Sequence, residues 1–194
     1  MTPLAPEKKE SYRELIITIL IIIAILFPIR YYIVQPFIVN GASMDPTFTT
    51  GQYLIVDELS FRFHKPERGQ VIILKYPRDP STYFIKRIVG LPNDNIMIKD
   101  GKVTITNAEY PEGFELEENY VQINHISHET YQITLGPTEY FVMGDNRSQS
   151  SDSRSWGPLD RELIVGRPLL RLLPLSKIDI FPGTITNDHE NNQK

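Results

Sequence analysis

The sequence predicts a mainly β domain, barrel-like or built on a folded-over sheet, carried behind one N-terminal transmembrane α-helix. Three observations predict it. An aliphatic run near the N-terminus has the length of a bilayer crossing. Beyond it, short runs rich in Val, Ile, Tyr, Phe and Thr are punctuated by Gly, Pro, Asn and Asp. No run between residues 36 and 160 carries a helical stripe.

The aliphatic run is "LIITILIIIAILFPIRYYIV", residues 15–34. It has the roughly 20 residues an α-helix needs to cross a hydrocarbon core of about 30 Å. No charge enters before Arg30, whose long stem can lead the guanidinium back to the headgroups. Tyr31 and Tyr32 follow as an interfacial belt, and Pro28 is placed to kink the last turn. A cleavable signal peptide would need small residues at −3 and −1 of its cut site, and the best local pair, Asn40 and Ala42, is poor. A buried core helix would show a polar face at helical period, which this run lacks. Lys8, Lys9 and Arg13 precede the span and Arg30 closely follows it. The positive-inside rule therefore puts residues 1–14 in the cytoplasm and everything after the span on the outer side.

Strand candidates come next, in order: "QYLIVDEL", "QVIILKY", "YFIKRIVG", "NIMIKDGKVTITN", "TYQITL" and "EYFVMGD". The fourth holds an Asp-Gly pair between alternating residues, a strong hairpin signal. Residues 35–183 read as one extracytoplasmic β-rich domain, within which 95–140 is a β insertion bearing fewer motifs. Residues 184–194 read as a polar tail.

Composition narrows the chemistry. The formal net charge is −4, which gives no basic field for nucleic acid. With no cysteine, disulfides, thiolate catalysis and cysteine-ligated zinc are excluded. His64, His125, His128 and His189 fall in no metal-ligand spacing, and the pair His125 and His128 reads as a solvated surface feature. No metal and no cofactor is expected.

Three stretches carry the chemistry. In "NGASMDPTF", residues 40–48, Ser43 sits in a turn just past the apolar run. It is either an ordinary turn serine or a nucleophile, and a serine hydroxyl is weak until a base takes its proton. In "YFIKRIVG", period two sends Lys86 to the face of Phe84 and Ile88, and Arg87 to the face of Ile85 and Val89. One of these charges lies among hydrophobic neighbours unless the strand is an edge, where both would snorkel. A desolvated lysine loses its proton more easily and can replace histidine as base. In "MGDNRSQSSDSRSWGP", Asp145, Arg147, Asp152 and Arg154 set opposite charges close enough to lock a loop. A solvated linker is the alternative, against which stands Trp156, the one tryptophan of the chain.

At these residues the sequence resembles the bacterial type I signal peptidases, membrane-bound serine proteases that remove signal peptides from exported proteins. The likeness spans roughly residues 10–170 and is densest at "GASMDPT", "RGQVIIL", "YFIKRIVGLPND" and "GDNRSQSSDSRSWGP". It implies that Ser43 is the nucleophile and Lys86 the general base. By the same resemblance Met44 follows the nucleophile, Pro46 and Thr47 stiffen its turn, and Ser150 orients the lysine amine by a hydrogen bond. Asp152 and Arg154 match a supporting ion pair, and Asp145, Asn146 and Arg147 shape the same loop. The substrates implied are signal-peptide-bearing preproteins with small residues at −3 and −1, met at the lipid bilayer.

Two positions depart from the family pattern. Gly41 stands where some members carry a serine whose hydroxyl helps form the oxyanion hole, so the hole must rest on the Ser43 backbone N–H and a further donor. The usual Arg-Gly-Asp reads "RGQ", so Gln70 is expected to have a structural consequence without loss of activity. Phe48 and Trp156, close to the motifs, are candidates to dip into the lipid surface. Competing readings are a self-cleaving repressor, which would need a DNA-binding domain where this chain has a membrane span; a specialised peptidase of one secretion or conjugation system; and an inactive membrane-tethered binding module. The sequence sets no oligomeric state.

Overall fold

The computed structural model describes residues 9–32 and 34–185, with side-chain surroundings for 12–24 and from 35 onward. One helix, α1 (Lys9–Tyr32), precedes the β structure. Its residues 12–24 are exposed, and Leu15, Ile16, Ile19, Leu20 and Ile23 are each about half exposed. Among the described residues no helix is long and apolar enough to cross a membrane. The roles expected of Lys8, Pro28, Arg30, Tyr31, Tyr32 and the tail from residue 186 fall on side chains outside the described residues. Val34, assigned by sequence to the span, already pairs with Asp57 as the first residue of β1 (Val34–Ile38).

The strands that follow are β2 (Tyr53–Asp57), β3 (Val71–Tyr76), β4 (Asp79–Gly90), β5 (Asn95–Lys99), β6 (Lys102–Thr106), β7 (Phe114–Glu115), β8 (Tyr131–Thr134), β9 (Glu139–Met143), β10 (Leu159–Asp160), β11 (Ile164–Leu173) and β12 (Asp179–Ile180). Two four-residue helices, α2 (Ser60–Phe63) and α3 (Ser153–Trp156), lie between them. This is the mainly β architecture the sequence predicts. The Asp-Gly hairpin joins β5 to β6, with Asp100 at φ 52° and Gly101 at φ 81° supplying the left-handed backbone of such a turn.

The strands form two antiparallel sheets. The larger runs β1-β2-β11-β3-β4-β9-β10, with β12 also on β11; the smaller runs β7-β6-β5-β8. β11 makes the larger sheet fold over, because it changes partner along its length: residues 164–166 pair with β3, and residues 167–173 pair with β2. Gly166 sits at that change. A Cβ there would come within 2.4 Å of the Asp57 carbonyl oxygen, so a side chain would force the strands apart. Pro168, which cannot donate to the ladder, adjoins a register shift in the same strand.

Folding over brings β1 opposite the outer half of β4. These strands share no ladder, yet the Phe37 and Tyr83 rings meet edge-to-face at 5.4 Å. Three apolar clusters fill the interior. The first packs Phe61, Ile72, Leu74, Ile88, Tyr140, Val142, Leu159 and Ile164 between sheet and connections. The second joins the smaller sheet to the larger through Val89, Phe141 and Met143. The third, Val39, Met44, Phe48, Leu54 and Val71, lies under the turn that carries Ser43.

Candidate active site

The Ser43 loop leaves β1 and is closed at its neck by two backbone bonds, Val39 N to Gln52 O and Gly51 N to Val39 O, both 2.9 Å. Inside it the Phe48 N–H donates to the Met44 carbonyl at 2.9 Å. That single turn puts Met44 and Phe48 on one side, where both are buried in the third cluster. Ser43, on the other side, is half-buried and faces a cleft. Phe48 is therefore no lipid contact: at 0% exposure it is a core plug. Trp156 is half-buried, packed on the first cluster with its ring edge-on to Tyr76.

Both cations of "IKR" are buried, Lys86 at 3% and Arg87 at 1% exposure. One buried cation, or two snorkelling from an edge strand, was the expectation; both are buried, because β3 pairs along this stretch, β9 joins from Arg87 onward, and apolar clusters cover both faces of the strand. On one face the Lys86 Nζ donates to Ser43 Oγ at 2.8 Å and to the Ile85 carbonyl at 3.0 Å, over the Phe84 ring. Burial lowers its pKa from 10.5 to about 8. The Asp152 and Asp145 charges pull in the opposite direction, and Arg154 adds to the lowering. Desolvation of the ammonium wins.

On the other face Arg87 grips Asp145 with two parallel bonds, Nε to Oδ1 at 2.8 Å and Nη2 to Oδ2 at 2.7 Å. Its remaining donor reaches the carbonyls of Gly69 and Gly183, and its plane lies 4.1 Å from the Tyr120 ring centre. Asp145 also accepts from Thr47 Oγ1 at 2.5 Å. Thr47 thus ties the serine turn to the loop after β9. Pro46, next to it, is exposed and follows a cis peptide bond.

That loop is held close to Ser43 by its backbone. The Asn146 N–H donates to the Ser43 carbonyl at 3.0 Å. A Cβ on Gly144 would stand 2.3 Å from that carbonyl oxygen and 2.4 Å from Ser150 Oγ, so glycine alone fits the gap. Asp152 caps α3 by accepting from the Arg154 N–H, accepts from the Gly144 N–H at 3.1 Å, and is paired two ways with the Arg154 guanidinium. Arg147 Nε donates to the Gly144 carbonyl at 2.9 Å.

Ser150 differs from expectation. Its hydroxyl is buried without a hydrogen-bond partner, while the Lys86 amine is engaged by Ser43 and the Ile85 carbonyl. Gly41, at φ 98°, is exposed with open space around a virtual Cβ, and its N–H and C=O both bond Thr50 Oγ1 at 3.1 Å. Gln70 closes its own turn through two bonds to Glu67. His128 is exposed and His125 half-buried. Among the described residues no group of His, Asp or Glu could hold a metal.

Sequence reading noted Arg87 as one of two cations on an apolar strand but gave it no role in the site, which its bonds to Asp145 supply. It also missed Glu118, Tyr120 and Glu129, which no motif marks and which come from the segment between β7 and β8; the two carboxylates reach the loop arginines, and the Tyr120 ring lies against Arg87 and Arg147.

Ser43 and Lys86 lie in a cleft of about 230 Å³ lined by Phe37, Ile38, Val39, Leu54, Ile73 and Tyr83 among others. A broader groove of about 1500 Å³ between the two sheets contains neither residue. The cleft has apolar walls and one polar end, where a buried amine touches a hydroxyl.

Comparison with known proteins bears on this arrangement. Residues 12–173 match the family described as "Signal peptidase, peptidase S26". The chain is 32% identical to the probable signal peptidase I-2 of Synechocystis sp., over 95% of this chain and 84% of that protein. It is 33% identical to the signal peptidase I of Leptolyngbya laminosa, over 89% and 85%. It is 31% identical to the signal peptidase I of Bacillus licheniformis, over 88% and 94%. A crystal structure of a signal peptidase I from Enterococcus faecalis V583 aligns with a TM-score of 0.45 at 27% identity, covering 54% of this chain and 97% of that one.

Proposed function

The chain belongs to the signal peptidase family and is a serine endopeptidase, and from that premise we propose that it cleaves N-terminal signal peptides from exported preproteins with Ser43 as nucleophile and Lys86 as general base. The observation that carries the reading is the 2.8 Å contact between a buried, pKa-lowered amine and the serine hydroxyl. Lys86, neutral, takes the Ser43 proton as Oγ attacks the scissile carbonyl. The Ser43 backbone N–H stabilises the oxyanion, at about 3 kcal/mol per donor. Lys86 then protonates the leaving amine, and water activated by the same amine clears the acyl-enzyme.

Two backbone edges support an extended substrate. β1 is paired with β2 on one side only, and in the first part of β4 residues 79 and 83–86 pair with β3 and none with β9. An unfolded stretch of preprotein can lie between these edges and take its backbone hydrogen bonds from them. The cleft is small, with apolar walls beside its polar end, which suits small side chains beside the cut. The exposed aliphatic residues of α1 support its reading as a membrane anchor, and Lys8, Lys9 and Arg13 before the aliphatic run support a cytoplasmic N-terminus; enzyme and substrate would then share one bilayer.

The test is purified protein, in detergent or lipid, mixed with an exported precursor. One trimmed product is expected, and none from Ser43→Ala or Lys86→Ala. Cutting at the parent rate by either variant sinks the assignment.

A further inference from the structure

The segment between β7 and β8 carries none of the motifs, yet it delivers carboxylates to the arginines of the loop after β9. Glu118 meets Arg147 fork to fork. Its Oε2 accepts from Nη1 at 3.0 Å and its Oε1 from Nη2. The Tyr120 hydroxyl donates to the same carboxylate at 3.0 Å. Arg147 is buried at 4% side-chain exposure and Glu118 is nearly so at 10%. A bidentate pair shielded from water has a fixed geometry, and removing one partner leaves the other charge stranded.

Arg147 passes that fixity on. Its Nε holds the Gly144 carbonyl at 2.9 Å, and its own carbonyl accepts from Arg154 Nη2 at 2.8 Å. Two residues beyond Gly144, the Asn146 N–H holds the Ser43 carbonyl at 3.0 Å. A continuous chain of polar contacts thus runs from Glu118 through Arg147 and residues 144–146 to the backbone of Ser43. Glu129 braces the same loop by its bond to Arg154 Nη1 at 2.5 Å, but it is half exposed and the weaker strut.

We infer that Glu118 is a positioning residue of the proteolytic site: acting through Arg147, it holds the 144–146 backbone against the Ser43 carbonyl and so sets Ser43 Oγ relative to Lys86 Nζ. This rests on the proteolytic reading given above. The β7–β8 connection of the smaller sheet is, on this inference, a brace for the catalytic loop. Glu118 lines no part of the cleft, so its loss acts on the chemical step and not on substrate capture.

The experiment measures kcat and KM on one precursor for the parent and for Glu118→Gln, Glu118→Asp and Glu115→Gln. Glu115 pairs with Lys102 on the exposed face of the same sheet, 56% and 65% exposed, and serves as the control. Glu118→Gln is expected to lower kcat at least tenfold with KM within twofold, Glu118→Asp to recover part of the loss, and Glu115→Gln to match the parent. A kcat within twofold of the parent overturns the inference. So does a loss seen only in KM, or one matched by an equal loss of folded protein in near-UV circular dichroism. Should Glu118→Gln not fold, Tyr120→Phe removes one hydrogen bond to that carboxylate and keeps its charge; an unchanged kcat there overturns the inference equally. If the proteolytic reading itself fails, the parent protein gives no trimmed product, whereas failure of this inference leaves the parent cutting.

Discussion

The Nζ of Lys86 stands 2.8 Å from the Oγ of Ser43, although the two residues are 43 positions apart. Each is placed by packing of its neighbours. Met44 and Phe48 lock the serine turn from below, and the ladder of β4 with β3 fixes the lysine. The amine has little water and one hydroxyl to work on.

That environment sets a pH dependence. The Lys86 amine is the base only when neutral, and burial brings its pKa to about 8. Activity should rise as pH increases through about 8, well below the ~10.4 of a free lysine. Asp152 pulls this value up, so Asp152→Asn should move the midpoint downward. A kcat/KM profile from pH 6 to 10 measures both; a midpoint near 10 in the parent would show the amine to be solvated.

The same shift bears on stability. The folded pKa lies below the unfolded one, so between about 8 and 10.5 the unfolded chain binds more protons and stability rises with pH. Below about 8 the folded state carries the full burden of a buried ammonium, on the order of 3 kcal/mol. Lys86→Met should therefore unfold at higher denaturant than the parent at pH 6, with the gap closing above pH 10.5. Equal midpoints at both pH values would contradict the desolvation argument.

Gly144→Ala tests the spacing of the serine turn. The added methyl would stand 2.3 Å from the Ser43 carbonyl oxygen, so turn and loop must separate. The expected result is a loss of about 1–3 kcal/mol in urea unfolding and at least a tenfold fall in kcat. Parent-like kcat would show that the loop yields without disturbing Ser43.

The Arg87–Asp145 pair lies at the centre of the support, with side chains 1% and 0% exposed. Removing one partner leaves a buried charge, so Arg87→Met or Asp145→Asn should each lower stability by about 3–5 kcal/mol. The double variant should lose clearly less than the sum, as a double-mutant cycle in urea would report. Additive losses would mean that the two residues act apart.

Local pattern carried much of the fold. Alternation and β-branched content marked β2, β3, β4, β5, β6, β8 and β9, and the Asp-Gly turn marked its hairpin. β1 and β11 escaped, because Pro36 and Pro168 interrupt their patterns and β11 changes partners midway. The two-residue strands β7, β10 and β12 are too short to show any period.

By itself the sequence determined which residues could do chemistry here: a turn serine, a lysine on an apolar strand and a charged loop with no cysteine to compete. Tertiary structure decided what those residues touch. Lys86 and Arg87 adjoin in sequence and point to opposite faces, so one meets a hydroxyl and the other a carboxylate only because β4 is covered on both sides. Glu118 meets Arg147 across 29 residues because the β7–β8 connection comes against the loop after β9. Hydrogen bonds and desolvation depend on distance in space, and the folding-over of the larger sheet on itself, with the smaller sheet packed against it, sets those distances.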